Sequence, residues 1–422
     1  MRTLSYSCIS TFAVHGPYCL NPVQAFPANR NWRRSTSRGP TRHKTVISVV
    51  LSVSILLTGV FAGTSTFSAP SSFSSGFPLP PPAEYDASSN GHPLTIGSET
   101  LTGQQSTPTS FIYLPFQAKH YPGVYLGVYM PVTLDYVSDL SAFQSNTGRK
   151  HAVISFYSTW DYSFASVKWI YDAIIANGST PMVAWMSYPD DTYPLSGILN
   201  GDFDGIIQAY ATSLRDYGHT IFVRWGHEMN LVEYPWTGYQ NGGDPSKYIA
   251  AYRHIHDIYE SVGATNVLWV WCPNYASWPA EDWNDYNNYY PGDEYVDWIG
   301  VDGYNWGQSS LNSNHEWDSF DSLFSDFFAD VSSRYPGKPQ MIAEFASVED
   351  DGGSKAAWIT DAYGRMIASY PNLRAVVWFN EAVYDPTIPG TADFRVESSA
   401  ASLDAYRATI NNPYFRSEAL YQ

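Results

Sequence analysis

Two glutamates stand 116 positions apart (344 − 228), each closing a short apolar run: Thr220-Ile-Phe-Val-Arg-Trp-Gly-His-Glu228-Met-Asn230 and Lys338-Pro-Gln-Met-Ile-Ala-Glu344-Phe-Ala-Ser347. A carboxyl pair brought to one cleft can protonate a leaving oxygen on one side and supply a nucleophile on the other, which is what hydrolysis of a glycosidic bond requires. At about 5–5.5 Å the second carboxylate attacks the sugar carbon directly and configuration is retained. That spacing is the expectation here. Arg224 lies on the same run as Glu228 and can favour the charged form of one glutamate by opposite charge, while burial against tryptophan favours the neutral form of the other. Which glutamate Arg224 reaches is open from sequence.

Other residues fit the same chemistry. His227, beside Glu228, orients the acid or hydrogen-bonds a sugar. Tyr304, in Val301-Asp-Gly-Tyr-Asn305, is placed to hydrogen-bond the nucleophile, and Trp378, closing an Ala-Val-Val-Trp run, to form a stacking floor. Asp302, Asn230 and Trp160 stand at other run ends and join the expected substrate-binding set with His227, Tyr304 and Trp378. His/Asp/Glu spacing for a metal centre is absent, as is a Gly-x-Ser-x-Gly nucleophile motif, so no metal and no cofactor are expected.

Eight elements must position these groups. Apolar, β-branched or aromatic runs begin near Val124, Ala152, Pro181, Ile221, Val267, Val296, Gln340 and Arg374. They are continuous rather than alternating, as parallel strands covered on both faces should be. Helix-period segments lie between them, punctuated by Asp244-Pro245 with Gly263, by Gly178 after Phe164 to Asn177, and by Gly218 after Phe203 to Tyr217. Eight βα units in succession predict a (β/α)8 TIM barrel over 110–422, with functional side chains where strands meet the loops that come after them. A doubly wound open sheet is the alternative, but no Gly-rich phosphate loop follows the first strand.

Composition bounds the rest. Of the 422 residues, 23 are Lys or Arg and 40 are Asp or Glu. Seven of the basic residues and none of the acidic ones fall in the first 83 positions, so the remaining 339 carry 16 against 40, a balance of −24. Such a surface repels polyphosphates and excludes nucleic acid as an expected partner. Aromatics form 16% of the chain, which suits a groove that stacks on sugar rings as well as a core. Cys272 is the single cysteine beyond Cys8 and Cys19, so the barrel has no internal disulfide to rely on and must hold by its apolar core; it is expected to act as a monomer.

Residues 1–64 form a basic N-terminal region whose charge-free run, Val46 to Ala62, has 17 residues, between a signal-peptide apolar region and a spanning helix in length. Basic charge before the run keeps that side cytoplasmic and sends the downstream chain outward. The segment is therefore expected to be an export signal or membrane anchor, and the barrel to be extracellular or at the cell surface. Residues 65–109, rich in Ser, Pro and Gly, read as a semi-rigid linker.

The motifs resemble glycoside hydrolase family 26, a (β/α)8 family of chiefly endo-β-1,4-mannanases with some β-1,3-1,4-glucanases and β-1,3-xylanases. The resemblance rests on Arg224-Trp-Gly-His-Glu-Met-Asn230 followed by Pro235-Trp236, on Tyr289 to Asn305, on Ala343-Glu-Phe345, and on Trp378-Phe-Asn380 with Asp393-Phe-Arg395 and Ser398-Ser399, and it covers roughly 120 to 410. It implies that Glu228 is the acid/base, Glu344 the nucleophile, and that His227, Trp236, Asp302, Tyr304 and Trp378 line the subsites around the cleaved bond. Phe394 departs from the Trp common in the family, and Ala346 from the Gly that commonly follows Glu-Phe. The implied activity is a retaining endo-β-glycosidase, mannanase first, with β-1,3-1,4-glucanase and β-xylanase as alternatives. A catalytically silent carbohydrate-binding barrel is the alternative of another class.

Overall fold

The computed structural model describes residues 123–188, 193–307, 316–349, 353–384 and 391–418. The proposed export segment and the linker lie outside these residues. Among those described, no helix is long and apolar enough to cross a membrane.

All eight predicted runs are strands or contain them. β1 (Val124–Tyr129), β2 (Val153–Thr159), β3 (Thr180–Met186), β4 (Ile221–Arg224) and β5 (Val267–Trp271) succeed one another in parallel. The sixth stave is broken into β6 (Trp298–Ile299) and β7 (Asp302–Asn305), and β8 (Gln340–Ser347) and β9 (Leu373–Phe379) complete the ring. The ring closes where β1 pairs β9 in parallel from Tyr125 opposite Ala375 to Tyr129 opposite Phe379. Closure gives each main stave a neighbour on both sides, the setting in which parallel strands this apolar are packed on both faces.

The break in the sixth stave has a steric origin. At Gly300 the chain crosses so close to β5 that a Cβ would stand 3.0 Å from Cys272 Sγ and from Val270 Cγ1, and its N–H donates to the Trp271 carbonyl at 2.8 Å. Beyond it, β7 pairs β8 with Asp302 opposite Glu344. This register sets two acidic side chains side by side at one level. The β8–β9 ladder shifts register between Ile342 and Phe345, the stretch that contains Glu344. Irregular ladders of this kind re-aim side chains beside active sites.

The helices pack outside. α1 (Tyr136–Thr147), α2 (Phe164–Ala176), α3 (Leu195–Asn200), α4 (Asp204–Tyr217), α5 (Pro245–Val262), α6 (Phe320–Arg334), α7 (Lys355–Ser369) and α8 (Ala400–Ile410) come in chain order. α5 begins as predicted, with Asp244 accepting from the Ser246 N–H and Pro245 at the first helical position, and it ends at Gly263 with φ 76°. Its buried Tyr248, Tyr252, Ile255 and Tyr259 form the stripe that the 3.6-residue period requires.

The fifth unit differs from the expected pattern. No α-helix follows β5; three short 3₁₀ turns, Asp282–Asn284, Tyr286–Tyr289 and Asp293–Tyr295, take its place. The segment Trp278 to Tyr295 carries two prolines and is dense in Asn and Asp, whose side chains compete for backbone hydrogen bonds and favour turns. The third unit holds two helices, α3 and α4, instead of one. An antiparallel pair, β10 (Ala382–Tyr384) with β11 (Thr391–Asp393), decorates the loop after β9, and β12 (Phe415–Arg416) returns to β1.

Candidate active site

Glu344 lies within β8, which runs three residues past it to Ser347, and its side chain is buried. Three donors converge on it. Tyr157 from the end of β2 and Arg224 from the last position of β4 donate to Oε1, and Tyr304 from β7 donates to Oε2. Arg224, itself buried, bridges onward to Asp302 Oδ2 at 2.6 Å, and the Cys272 thiol donates to Asp302 Oδ1 at 3.2 Å. One guanidinium thus serves two buried carboxylates. Three hydrogen bonds, one from a cation, fix both oxygens of Glu344 in place. Burial and the neighbouring Glu344 charge raise both the Tyr157 and Tyr304 hydroxyls well above the usual tyrosine range, so both remain donors at any working pH.

Glu228 is placed differently. β4 ends at Arg224, and the chain turns through Gly226 at φ 64° to Glu228 at φ 53°, the only non-glycine residue with positive φ among those described. The turn is pinned by the Glu228 N–H donating to the Cys272 carbonyl at 2.8 Å and by the Leu231 N–H donating back to Glu228 at 3.0 Å. Its carboxylate accepts one hydrogen bond, from the Asn274 amide at 2.8 Å. Burial, and after it the negative charge of Glu344, pushes the Glu228 carboxyl up to about 8, against the pull of the Asn274 amide. At neutral pH it holds a proton, the state of a general acid.

The other predicted residues divide. Asp302 and Tyr304 join the Glu344 network directly. His227 is fully buried, and neither ring nitrogen has a hydrogen-bond partner among the described residues. Its ring packs at centroid distances of 5.9 Å from Tyr157, 4.9 Å from Tyr234 and 5.5 Å from Trp236, and burial with the Arg224 charge holds it neutral. It does not orient Glu228 by a hydrogen bond. Trp236 is fully buried, stacks on Tyr234 at 4.6 Å and donates its indole N–H to the His227 carbonyl at 2.7 Å, bracing the turn that carries Glu228.

Three residues expected to touch substrate are occupied elsewhere. Asn230 is buried; its amide donates to the Asn274 carbonyl at 2.9 Å, and its Oδ1 accepts from the Asn274 N–H at 2.9 Å. It fastens the β4 loop to the β5 loop and so holds Asn274 under Glu228. Trp378 faces the helices: it is fully buried against Phe345, Trp358 and Tyr406 and donates to the Phe394 carbonyl at 2.9 Å. Strand alternation turns the next residue, Phe379, to the mouth, where it stacks on Tyr129 and meets Tyr304 edge-on. Trp160 is 3% exposed and packs on Trp185 and Tyr193. A sugar cannot stack on Trp378 or Trp160 in this arrangement.

Two partners of the acid pair are not apparent in the sequence. Asn274 comes after Pro273 at the end of β5, and its only sequence signal is a polar residue at a strand end. Cys272 looks from sequence like an inert core thiol. At the sites of the two family departures, Phe394 is buried at 5.2 Å from Tyr304 and 4.9 Å from Trp306, and Ala346 is buried in β8 opposite Tyr304. Among the described residues no group of three or more His, Cys, Asp or Glu is arranged to hold a metal ion.

A closed parallel barrel whose mouth holds an arginine-clamped carboxylate and a second, proton-bearing one has the architecture of the glycoside hydrolases. Residues 131–336, just under half of the chain, match the family model described as Glycosyl hydrolase family 26. Among curated relatives, "Endoglucanase H" of Acetivibrio thermocellus is 38% identical over 278 residues, 65% of this chain and 29% of that protein. "Mannan endo-1,4-beta-mannosidase" of Bacillus subtilis is 33% identical over 115 residues, 26% of this chain and 29% of that protein. The chain therefore spans less than a third of either relative. Among solved structures, an endo-β-1,4-mannanase double mutant from Cellulomonas fimi aligns with a TM-score of 0.53 at 20% identity, covering 70% of this chain and 72% of that one. A family 26 β-mannanase from Bacteroides ovatus aligns at 0.51 and 18%, covering 72% and 94%. These likenesses establish the shared barrel fold.

Proposed function

We propose that this protein is a retaining endo-β-glycosidase that hydrolyses a β-linked polysaccharide, with β-1,4-mannan as first substrate class. The observation that carries the reading is the divergence of the two carboxyls: Glu344 is supplied with three donors including Arg224, while Glu228 has one amide and is pushed up to about 8. A donor-clamped carboxyl facing one that keeps its proton is the arrangement that suits a nucleophile and an acid. Glu344 Oε attacks the anomeric carbon as Glu228 delivers its proton to the leaving glycosidic oxygen, giving a covalent glycosyl-enzyme and a free chain end. Glu228, now ionised, takes a proton from water, the resulting hydroxide displaces Glu344, and both groups return to their starting states.

Mixed-linkage β-1,3-1,4-glucan is the second reading, supported by 38% identity over 278 residues to a protein named as an endoglucanase. Incubation with soluble mannan, mixed-linkage glucan and β-1,3-xylan, with sizing of the products and NMR of the first anomer formed, tests all of these together. Internal cleavage with retained configuration is expected. An inactive protein that still binds one of these polymers would instead be a silent binding barrel.

The acidic barrel and the basic, then apolar, N-terminal region support secretion or tethering at the cell surface through residues 46–62, with the barrel acting as a monomer. Fractionation of expressing cells with N-terminal sequencing of the mature chain tests the first, and light scattering the second. A barrel found only in the cytoplasm would overturn the export reading.

A further inference from the structure

Glu381 is a third carboxylate at the mouth, two residues past the end of β9, and neither of the two chemical roles above uses it. Its Oε2 accepts from the Tyr129 hydroxyl at 3.0 Å. Tyr129, at the end of β1, stacks on Phe379 at 4.6 Å and meets Tyr157 edge-on at 5.0 Å, and Tyr157 donates to Glu344. Glu344 and Glu381 therefore lie along one aromatic wall, linked by two tyrosines. The backbone beneath Glu381 is fixed: its carbonyl accepts from the Phe394 N–H at 3.0 Å, and the preceding Asn380 takes the Val396 N–H at 2.8 Å.

We propose that Glu381 is a specificity-determining residue that accepts hydrogen bonds from neighbouring hydroxyls of the sugar seated on the nucleophile's side of the scissile bond. The inference rests on the glycosidase reading and extends it to a residue outside the acid pair. Glu381 is half-buried beside Tyr129, no cation among the described residues contributes to its electrostatics, and burial together with the Glu344 charge raises its carboxyl above the usual range. A carboxylate in such a place is short of donors. A vicinal diol supplies two, in a geometry that depends on which hydroxyls are axial, so the same contact would read sugar configuration. If Glu381 served only to hold Tyr129, its loss would act through Tyr157 on Glu344 and appear in turnover.

The test uses the full chain and hexasaccharides of β-1,4-mannose, mixed-linkage β-1,3-1,4-glucose and β-1,3-xylose, with wild type, Glu381→Ala, Glu381→Gln and Tyr129→Phe. Expected for Glu381→Ala is a rise in KM of roughly tenfold to hundredfold on the best hexasaccharide, a larger factor than kcat loses, and an altered ratio of kcat/KM between sugars. Glu381→Gln, which keeps one acceptor and the same shape, recovers part of the loss and serves if the Ala variant does not fold. Tyr129→Phe moves KM less than Glu381→Ala. Wild-type turnover with KM changed by less than about threefold in both Glu381 variants, or a loss confined to kcat, overturns this assignment and leaves the glycosidase reading standing. A wild type that neither cleaves nor, by calorimetry, binds any of the three overturns both.

Discussion

The two halves of the mouth treat the same functional group in opposite ways. On the β7–β8 side, Glu344 is set by strand register and surrounded by donors that themselves come from β2, β4 and β7. On the β4–β5 side, Glu228 is carried on a turn beyond the end of its strand and meets one neutral amide. The lesson is that a barrel can give identical side chains opposite surroundings by choosing where each leaves the sheet. A strand interior brings neighbours within hydrogen-bond reach, whereas a turn can bury a carboxyl without supplying them.

The largest expected effect comes from destroying the donor-rich side. Glu344→Ala should lower kcat on a cleavable polysaccharide by about 10³-fold or more, read as reducing ends released, with folding intact by circular dichroism. Unchanged turnover would remove Glu344 from the chemistry. Arg224→Met comes next. It strands two buried carboxylates, Glu344 and Asp302, and should cost about 3–5 kcal/mol of stability as well as activity, seen as a lower thermal midpoint. A midpoint within error of wild type would show that Arg224 is not the shared partner.

On the acid side, the contrast is sharpened by pH. Burial raises the folded-state Glu228 carboxyl from an ordinary 4.5 to about 8, so between those values the folded chain keeps a proton that the unfolded chain has released. Stability present below about 4.5 is therefore lost as pH rises, and the loss is complete above 8. Glu228→Gln has nothing to titrate, so its unfolding free energy by denaturant titration should climb relative to wild type across that window, by roughly 1–3 kcal/mol at pH 9 after allowance for partial solvent access. A constant difference between the two proteins at pH 4 and pH 9 would refute the raised carboxyl. The smallest effect is Asn274→Ala. Loss of the amide removes a bond to the charged form, so the alkaline limb of kcat/KM should move to higher pH with modest change in the maximum. A limb that moves down would reverse the assignment of Asn274.

The ring of strands was legible because parallel staves buried on both faces leave uninterrupted apolar runs, and each run had to end where polar groups collected. Glu344, Glu228, Asp302 and Tyr304 were legible for the same reason: ionisable or hydroxylated side chains adjoining such runs. What escaped was parity. Trp378 and Phe379 are neighbours with equally apolar character, and nothing in the sequence says which faces the helices; the pairing of β9 with β1 and β8 decides it. Contacts between loops escaped as well. The Asn274 bond to Glu228 joins segments 46 positions apart (274 − 228), through an Asn230 clamp that looked like a sugar ligand. The missing fifth helix was written in the prolines and Asn/Asp density of Trp278 to Tyr295, but the run of successive βα units led to the expectation of a helix there all the same.

The left-handed backbone at Glu228 has a genetic consequence. Glutamate and glycine codons differ by one base, and glycine adopts a positive φ without the steric cost that a side chain incurs, typically about 1 kcal/mol. One single-base route to an easier fold at this position therefore also removes the carboxyl proposed as proton donor. A glutamate at this position is therefore kept at a cost to the backbone, as a residue retained for chemistry would be.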